Sequence, residues 1–315
     1  MNNLIHLDTF SGYGGFTLFA EQLGIKTIGF SEIENDANKL LRYRFPEIKN
    51  YGDITQIDTG TLPYFNLLTG GSPCQDLSQA GKRKGLDGDR SGLFFAFTKI
   101  LKECEPDYFI WENVRGALSS NGGRDFARVQ MEFSKVGYNF QWQLLNARDF
   151  GIPQNRERIF VIGSHRKINR PNIFPFKPIR SKFTNKTVGK REWISARSYT
   201  STLVTSPVRS ASVYVVNVPK DKEMFEIQDG VRLKRLQMLE LMNYPVRKLT
   251  VNEYELLMGL PKDWTKFGIN DKGQQVNIST TARYKMCGNG IVPQKSKFVY
   301  EQLLEHINDN NSNRT

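Results

Sequence analysis

Apolar runs and glycine punctuation divide the first half of the chain into short strands alternating with helices. Leu4 to Phe10 reads as a buried strand, Ser11-Gly12-Tyr13-Gly14-Gly15 as a tight turn, and Phe16 to Leu23 carries a helical period. A second strand, Lys26 to Ser31, ends on Glu32, and Gly52-Asp53-Ile54 marks the end of a third. Tyr64 to Thr69 reads as another buried strand and runs into Gly70-Gly71-Ser72-Pro73-Cys74-Gln75. Leu93 to Cys104 is helical by pattern, and Asp107 to Trp111 is a strand ending on Glu112-Asn113-Val114. Ala127 to Val136 (helix), Tyr138 to Leu145 (strand) and Ile159 to Ile162 (strand) complete this half. The alternation predicts an α/β fold with a doubly wound, mostly parallel sheet. In such sheets ligands bind outside the carboxyl ends of the strands.

The second half loses that rhythm. From His165 to about Tyr199 the chain is polar and basic without a steady period, Thr200 to Val218 is β-rich, and Arg232 to Met242 fits a short helix. Thr250 with Glu253 three residues later forms a capping-box pattern that opens a helix. Cys287 to Pro293 leads into a final helix to about Ile307, and the polar tail from Asn308 to Thr315 is predicted to be disordered.

Charge sharpens this division. Between Arg166 and Lys248 there are 18 Lys or Arg against 6 Asp or Glu, so the whole formal surplus of +12 sits in that segment. A localised surplus is the footprint of a polyanion site, and the segment shows no clean amphipathic face for a membrane surface. At 315 residues there is room for about two domains. No apolar run reaches membrane-spanning length, and the amino terminus lacks a secretory layout. Cys74, Cys104 and Cys287 make neither a zinc spacing nor an even disulfide framework, which points to a reducing, cytoplasmic setting and no metal.

The candidate chemistry collects at strand ends. The glycine order Phe10-Ser11-Gly12-Tyr13-Gly14-Gly15 departs from the G-x-G-x-x-G of dinucleotide sites and suits a smaller adenosyl ligand without pyrophosphate. Glu32 is placed to accept from ribose hydroxyls. Phe10 either packs on an adenine or joins the core. Cys74, preceded by Pro73, is a lone thiol at a strand's carboxyl end, where it can act as a nucleophile. Glu112 delivers a carboxyl to the same edge. Arg156 and Arg158, at alternate positions, point to one side, where they can recognise a base carbonyl and a phosphate or form surface ion pairs with Glu157. Gly81 to Arg90, with Lys82-Arg83-Lys84, is a glycine-punctuated loop that either closes on phosphate or is simply solvated.

Together these segments resemble the DNA (cytosine-5)-methyltransferases. The resemblance rests on Phe10 to Gly15, Glu32, Gly52-Asp53-Ile54, Pro73-Cys74-Gln75, Glu112-Asn113-Val114, Gln154 to Arg158, Arg247-Lys248-Leu249-Thr250 with Glu253, and Gly288-Asn289-Gly290. It implies S-adenosyl-L-methionine as methyl donor, S-adenosyl-L-homocysteine as product, and a flipped-out cytosine in double-stranded DNA as substrate. It further implies that Cys74 adds to C6, Glu112 holds or protonates N3, and Arg158 holds the base carbonyl with help from Arg156. Phe10, Gly12, Gly14, Gly15, Glu32, Ile33, Asp53, Ile54, Pro73 and Asn289 would form the cofactor site. Gln75, Ser78, Lys82, Arg83, Asn113 and Val114 would face the substrate. Ile33 stands where many relatives have Trp, and Ala80 where relatives carry a polar residue. The implied organisation is a catalytic domain over 1–165, a target-recognition domain over 166–277 and a returning segment over 278–315. Such an enzyme would be a cytoplasmic, nucleoid-associated monomer in a bacterial or phage-infected cell, with a separate restriction endonuclease as functional partner. Methylation of tRNA, or a catalytically silent DNA-binding adaptor, are the alternative readings.

Overall fold

The structure, a computed structural model, describes residues 4–72, 91–168, 173–175, 200–201, 214–216 and 246–312. Its strands begin with β1 (Ile5–Thr9), β2 (Lys26–Ser31), β3 (Lys49–Asn50), β4 (Leu67–Gly70) and β5 (Tyr108–Val114). Next come β6 (Tyr138–Asn146), β7 (Gln154–Asn155) and β8 (Glu157–His165). The helices are α1 (Thr17–Ala20), α2 (Asn35–Arg44), α3 (Ser91–Cys104), α4 (Arg124–Lys135), α5 (Val251–Leu257), α6 (Thr280–Asn289) and α7 (Pro293–Ser312).

All these strands except β7 form one seven-stranded sheet in the order β3-β2-β1-β4-β5-β8-β6. Pairing is parallel from β3 to β5, and β8 runs antiparallel between β5 and β6. The expected doubly wound, mostly parallel sheet is therefore present. Because β2 and β4 lie on opposite sides of β1, the winding reverses there and a crevice opens at the carboxyl ends of β1 and β4.

The sheet is covered on both faces, so its inner strands are apolar on both. Alternation along β5 sends Phe109 and Trp111 to one face, where they pack with Phe94 and Phe97 of α3 and Phe133 of α4. Tyr108 and Ile110 join Phe160 and Ile162 on the other face, beneath Val299, Tyr300 and Leu303 of α7. Glu112 and Arg158 follow the same parity and lie on the α7 side.

Differences from the expected elements have local causes. The first helix is short: it tightens at Glu21–Leu23 and stops at Gly24, whose left-handed conformation lets its N–H close on Glu21. Helices α2 and α6 and the hairpin Phe267–Ile269/Gln275–Asn277 were not expected from the pattern. The final helix continues through the polar residues to Ser312, beyond the buried Ile307. A helix adds turns there through its own backbone hydrogen bonds.

Residues that follow the basic segment pack against the amino-terminal half of the chain. Leu249, Tyr254, Leu257, Trp264 and Ile278 share one core cluster with Tyr13, Phe30, Leu40 and Leu41. Arg44 of α2 donates to the main-chain oxygens of Asp263 (2.8 Å) and Trp264 (2.9 and 2.6 Å), with its guanidinium 4.3 Å from the Trp264 ring. The Thr250–Glu253 capping box is formed, with Thr250 N–H donating to Glu253 Oε2 at 2.7 Å. Of the basic segment, the described parts are residues 166–168, 173–175, 200–201, 214–216 and 246–248; Tyr214–Val216 pairs antiparallel with Val246–Lys248. The short helix expected over Arg232 to Met242 lies outside the described residues.

Candidate active site

On leaving β1 the chain turns through Phe10, whose φ of +54° is rare for a bulky residue. Its N–H donates to Ser31 O at 2.8 Å, which binds the turn to the end of β2. The Phe10 ring is half-buried against the core cluster on the α3 side. Gly12 also has a positive φ, +54°, and its N–H donates to Glu32 Oε2 at 2.7 Å. Glu32 Oε1 accepts from the N–H groups of Ile33 and Glu34, both at 2.8 Å. The carboxylate therefore joins the glycine turn to the start of α2 and keeps acceptor capacity on Oε2.

A Cβ placed on Gly12 or Gly52 would meet nothing within 4 Å, so space stands open above both turns. Asp53 caps the turn Ile54–Gln56 by accepting from Thr55 N–H at 2.8 Å, and Ile54 is buried beneath it. Ile33 is 64 % exposed at the edge of this space. Gly14, with φ +78°, lies against Phe45, and Gly15 packs against Ile291. Asn289 is exposed at the carboxyl end of α6. An acid at the end of β2, an open glycine turn and an aromatic ring beside it fit an adenosyl cofactor.

A polar seam lies below the turn. Asp8, fully buried, accepts from Thr17 Oγ1 at 2.8 Å and from Thr69 Oγ1 at 3.2 Å. His6 contacts Thr69 Oγ1 at 2.7 Å and Thr27 Oγ1 at 3.0 Å. Burial raises the Asp8 carboxyl to about 7, against the two threonine hydrogen bonds, and lowers His6 to about 3. This seam fastens β1, β4 and α1 to one another directly under the cofactor-side turn.

Glu112 and Arg158 form the other half of the site. Arg158 Nε lies 3.1 Å from Glu112 Oε1, and both side chains are about seven-eighths buried, at 12 % and 13 % exposure. Val114 is the register partner of Arg158, so Glu112 and Arg158 are diagonal neighbours on one face. Burial lowers the Arg158 guanidinium while the Glu112 charge opposes that shift. Gly71 sits beside this pair; a Cβ there would come within 3.0 Å of Glu112 Oε2. Ser72 is held from β5, its hydroxyl accepting from Trp111 Nε1 at 3.0 Å and its carbonyl from Asn113 Nδ2 at 3.3 Å. Asn113, expected to face substrate, is thus buried as an anchor for the segment that leads to Cys74. Pro73, Cys74, Gln75, Ser78, Ala80, Lys82 and Arg83 lie outside the described residues.

The fully buried guanidinium of Arg156 donates to Gly288 O at 2.9 Å and Gly290 O at 2.7 Å. These carbonyls, at the end of α6, compete successfully for its donors. Burial lowers this group to about 9, with Arg158 adding to the shift. The surface ion pair of Glu157 is made with Arg115, at 2.5 Å. Tyr13 Oη donates to Ile291 O, and Ser296 Oγ to Gly15 O at 3.0 Å, so the same C-terminal stretch also grips the glycine turn. Among the described residues no cluster of His, Cys, Asp or Glu could hold a metal ion, and no helix is long and apolar enough to cross a membrane.

Residues 4–196 and 177–305 match the family model for the C-5 cytosine-specific DNA methylases. The chain belongs to that family. Type II methyltransferase M1.ScrFI of Lactococcus lactis subsp. cremoris is 30% identical over 316 residues, covering 95% of this chain and 77% of the relative. M2.ScrFI from the same organism is 33% identical over 298 residues, covering 88% and 79%. The orphan methyltransferase M.SPRI of Bacillus phage SPR is 41% identical over 167 residues; that match spans 52% of this chain and only 38% of the phage protein. Among solved structures, the Entamoeba histolytica methyltransferase EhMeth superposes with a TM-score of 0.73 at 18% identity, covering 98% of this chain and 99% of the other. The S. pombe Dnmt2 methyltransferase gives 0.69 at 19%, covering 97% and 100%. These two likenesses concern the fold alone.

Asp8, Thr69, Ser72 and Lys295 went unremarked in the sequence. The signal for the first two was present, as polar residues inside otherwise apolar strands.

Proposed function

We propose that this chain transfers a methyl group from S-adenosyl-L-methionine to C5 of a flipped-out cytosine in double-stranded DNA, at a specific short sequence. The Glu112–Arg158 pair carries this reading, because it sets a carboxyl and a guanidinium side by side at the strand-end crevice. Glu112 holds N3 of the ring and supplies a proton as the Cys74 thiolate bonds to C6. Arg158 donates to the base carbonyl oxygen, where negative charge also accumulates. Bound S-adenosyl-L-methionine supplies an electrophilic methyl group. Phe10, Gly12, Glu32, Ile33, Asp53, Ile54 and Asn289 would hold it so that C5 and the methyl carbon meet in line. Loss of the C5 proton then expels Cys74 and restores the ring.

The strongly basic segment between Arg166 and Lys248 would contact the DNA, most of its cations meeting phosphates and a few reading bases. Placing target recognition there, ahead of residue 249, agrees with the core packing of the residues that follow. The setting would be the cytoplasm of a bacterial or phage-infected cell, with the chain acting as a monomer and a restriction endonuclease acting separately.

The test is incubation of the protein and methyl donor with duplexes carrying 5-fluorocytosine in a comprehensive set of sequence contexts. A stable protein–DNA adduct through Cys74, absent from Cys74→Ser, is expected. Failure of every context to trap the protein would overturn the reading. Methyl transfer to tRNA but not to duplex DNA in parallel assays would redirect it to RNA.

A further inference from the structure

α7 buries an i, i+4 stripe against the sheet, and the stripe begins with a lysine: Lys295, Val299, Leu303 and Ile307 are all buried, the first three completely. An amine in such a position costs stability that a methionine or leucine would not, so its retention calls for a reason beyond packing. Lys295 Nζ donates to the main-chain oxygen of Arg156 at 3.3 Å and lies 5.6 Å from the centre of the Phe160 ring. Phe160 is the register partner of Glu112, and Arg156 is two residues from Arg158. The Arg156 carbonyl also accepts from Ala147 N–H at 3.1 Å, and the Arg156 guanidinium reaches back to Gly288 and Gly290. The backbone that carries Arg158 is therefore clasped in both directions by the C-terminal segment.

We propose that Lys295 is a positioning residue: by clamping the Arg156 peptide from α7, it sets where Arg158 stands relative to Glu112 and hence to the cytosine ring. This rests on the methyltransferase reading above. Burial and then the charge of Arg158 push the Lys295 amine well below its ordinary range, with Glu112 opposing them.

The test compares wild type, Lys295→Met, Arg158→Met and the double variant, using the rate of 5-fluorocytosine adduct formation, steady-state methylation, cofactor titration and thermal unfolding. Lys295→Met should lower kcat about 10-fold, the scale of a small misplacement at a reacting centre. Its affinity for S-adenosyl-L-methionine should stay within about 2-fold, and its Tm should match or exceed wild type, because the apolar stripe becomes continuous. In the Arg158→Met background the same change should add nothing, since the two residues act through one geometry. Unchanged kcat in a folded Lys295→Met protein, or an equal further loss in the double variant, overturns the inference. If Lys295→Met does not fold, Lys295→Leu, which also lacks a donor, is read by the same outcomes. Wild type that neither methylates nor forms an adduct would instead remove the methyltransferase reading, a result distinguishable from active wild type with an equally active Lys295→Met.

Discussion

Arg158 Nε stands 3.1 Å from Glu112 Oε1 on the sheet face that α7 covers, and each side chain is mostly withdrawn from water. The two side chains orient each other there, and a base edge entering the crevice meets both at once. Glu112→Gln keeps the shape but loses the transferable proton. It should reduce methyl transfer about 100- to 10,000-fold, the range for a missing general acid, while cofactor binding persists. A double-mutant cycle with Arg158→Met should give a coupling of about 0.5–3 kcal/mol in rate. Strictly additive losses would show that the two groups act independently.

The approach of Gly71 to this pair makes a second, purely steric prediction. Gly71→Ala would place a methyl group within 3.0 Å of Glu112 Oε2, closer than ordinary contact. The carboxylate must then shift by a few tenths of an ångström or change rotamer. Methylation should fall about 10-fold on kcat, with unfolding midpoint and DNA affinity little altered. A Gly71→Ala protein of wild-type kcat would show that the carboxyl position tolerates displacement.

Cys287 offers an internal control for the thiol chemistry. It is fully buried, and burial, with the Glu255 charge adding to it, raises its thiol to about 12. Thiolate is the reactive form, so this side chain should resist alkylation in the folded protein at neutral pH. Cys287→Ala should retain methylation and adduct formation within about 2-fold, the small volume lost costing stability rather than rate. Peptide mapping after trapping with 5-fluorocytosine should find Cys74 and not Cys287 attached to the base.

The strands and their acidic ends were legible because parallel strands buried on both faces leave long apolar runs that stop at glycine or a carboxylate. Glu32 and Glu112 could be placed at strand ends for that reason. Side-chain partners were not legible, because they depend on which elements the fold brings together. Arg156 and Arg158 share a face in sequence, yet Gly288 and Gly290 of the distant C-terminal segment capture the first while Glu112 takes the second. Ser72 carries no signal of its own, because its partner, Trp111 Nε1, comes from another strand. The hairpin ending at Asn277 packs on α2, a contact that no local pattern announces.

The Asp8 seam under the glycine turn gives the last prediction, in the pH dependence of stability. The Asp8 carboxyl ionises near 3.8 when unfolded and is raised to about 7 when buried. Between those values the folded state binds more protons than the unfolded state, so this residue's contribution is full below about 4 and falls as pH rises to about 7. His6 acts in the opposite sense: lowered from 6.5 to about 3, it is buried neutral and weakens the fold as pH drops below its unfolded value. Asp8→Asn removes the first effect while keeping a polar group for Thr17 and Thr69. Urea unfolding at about pH 5 and about pH 8 should show the variant gaining stability relative to wild type at the higher pH. The acid-side loss that His6 produces should remain in both proteins. An Asp8→Asn protein whose difference from wild type is the same at both pH values would mean that Asp8 is already ionised in the folded protein throughout that range.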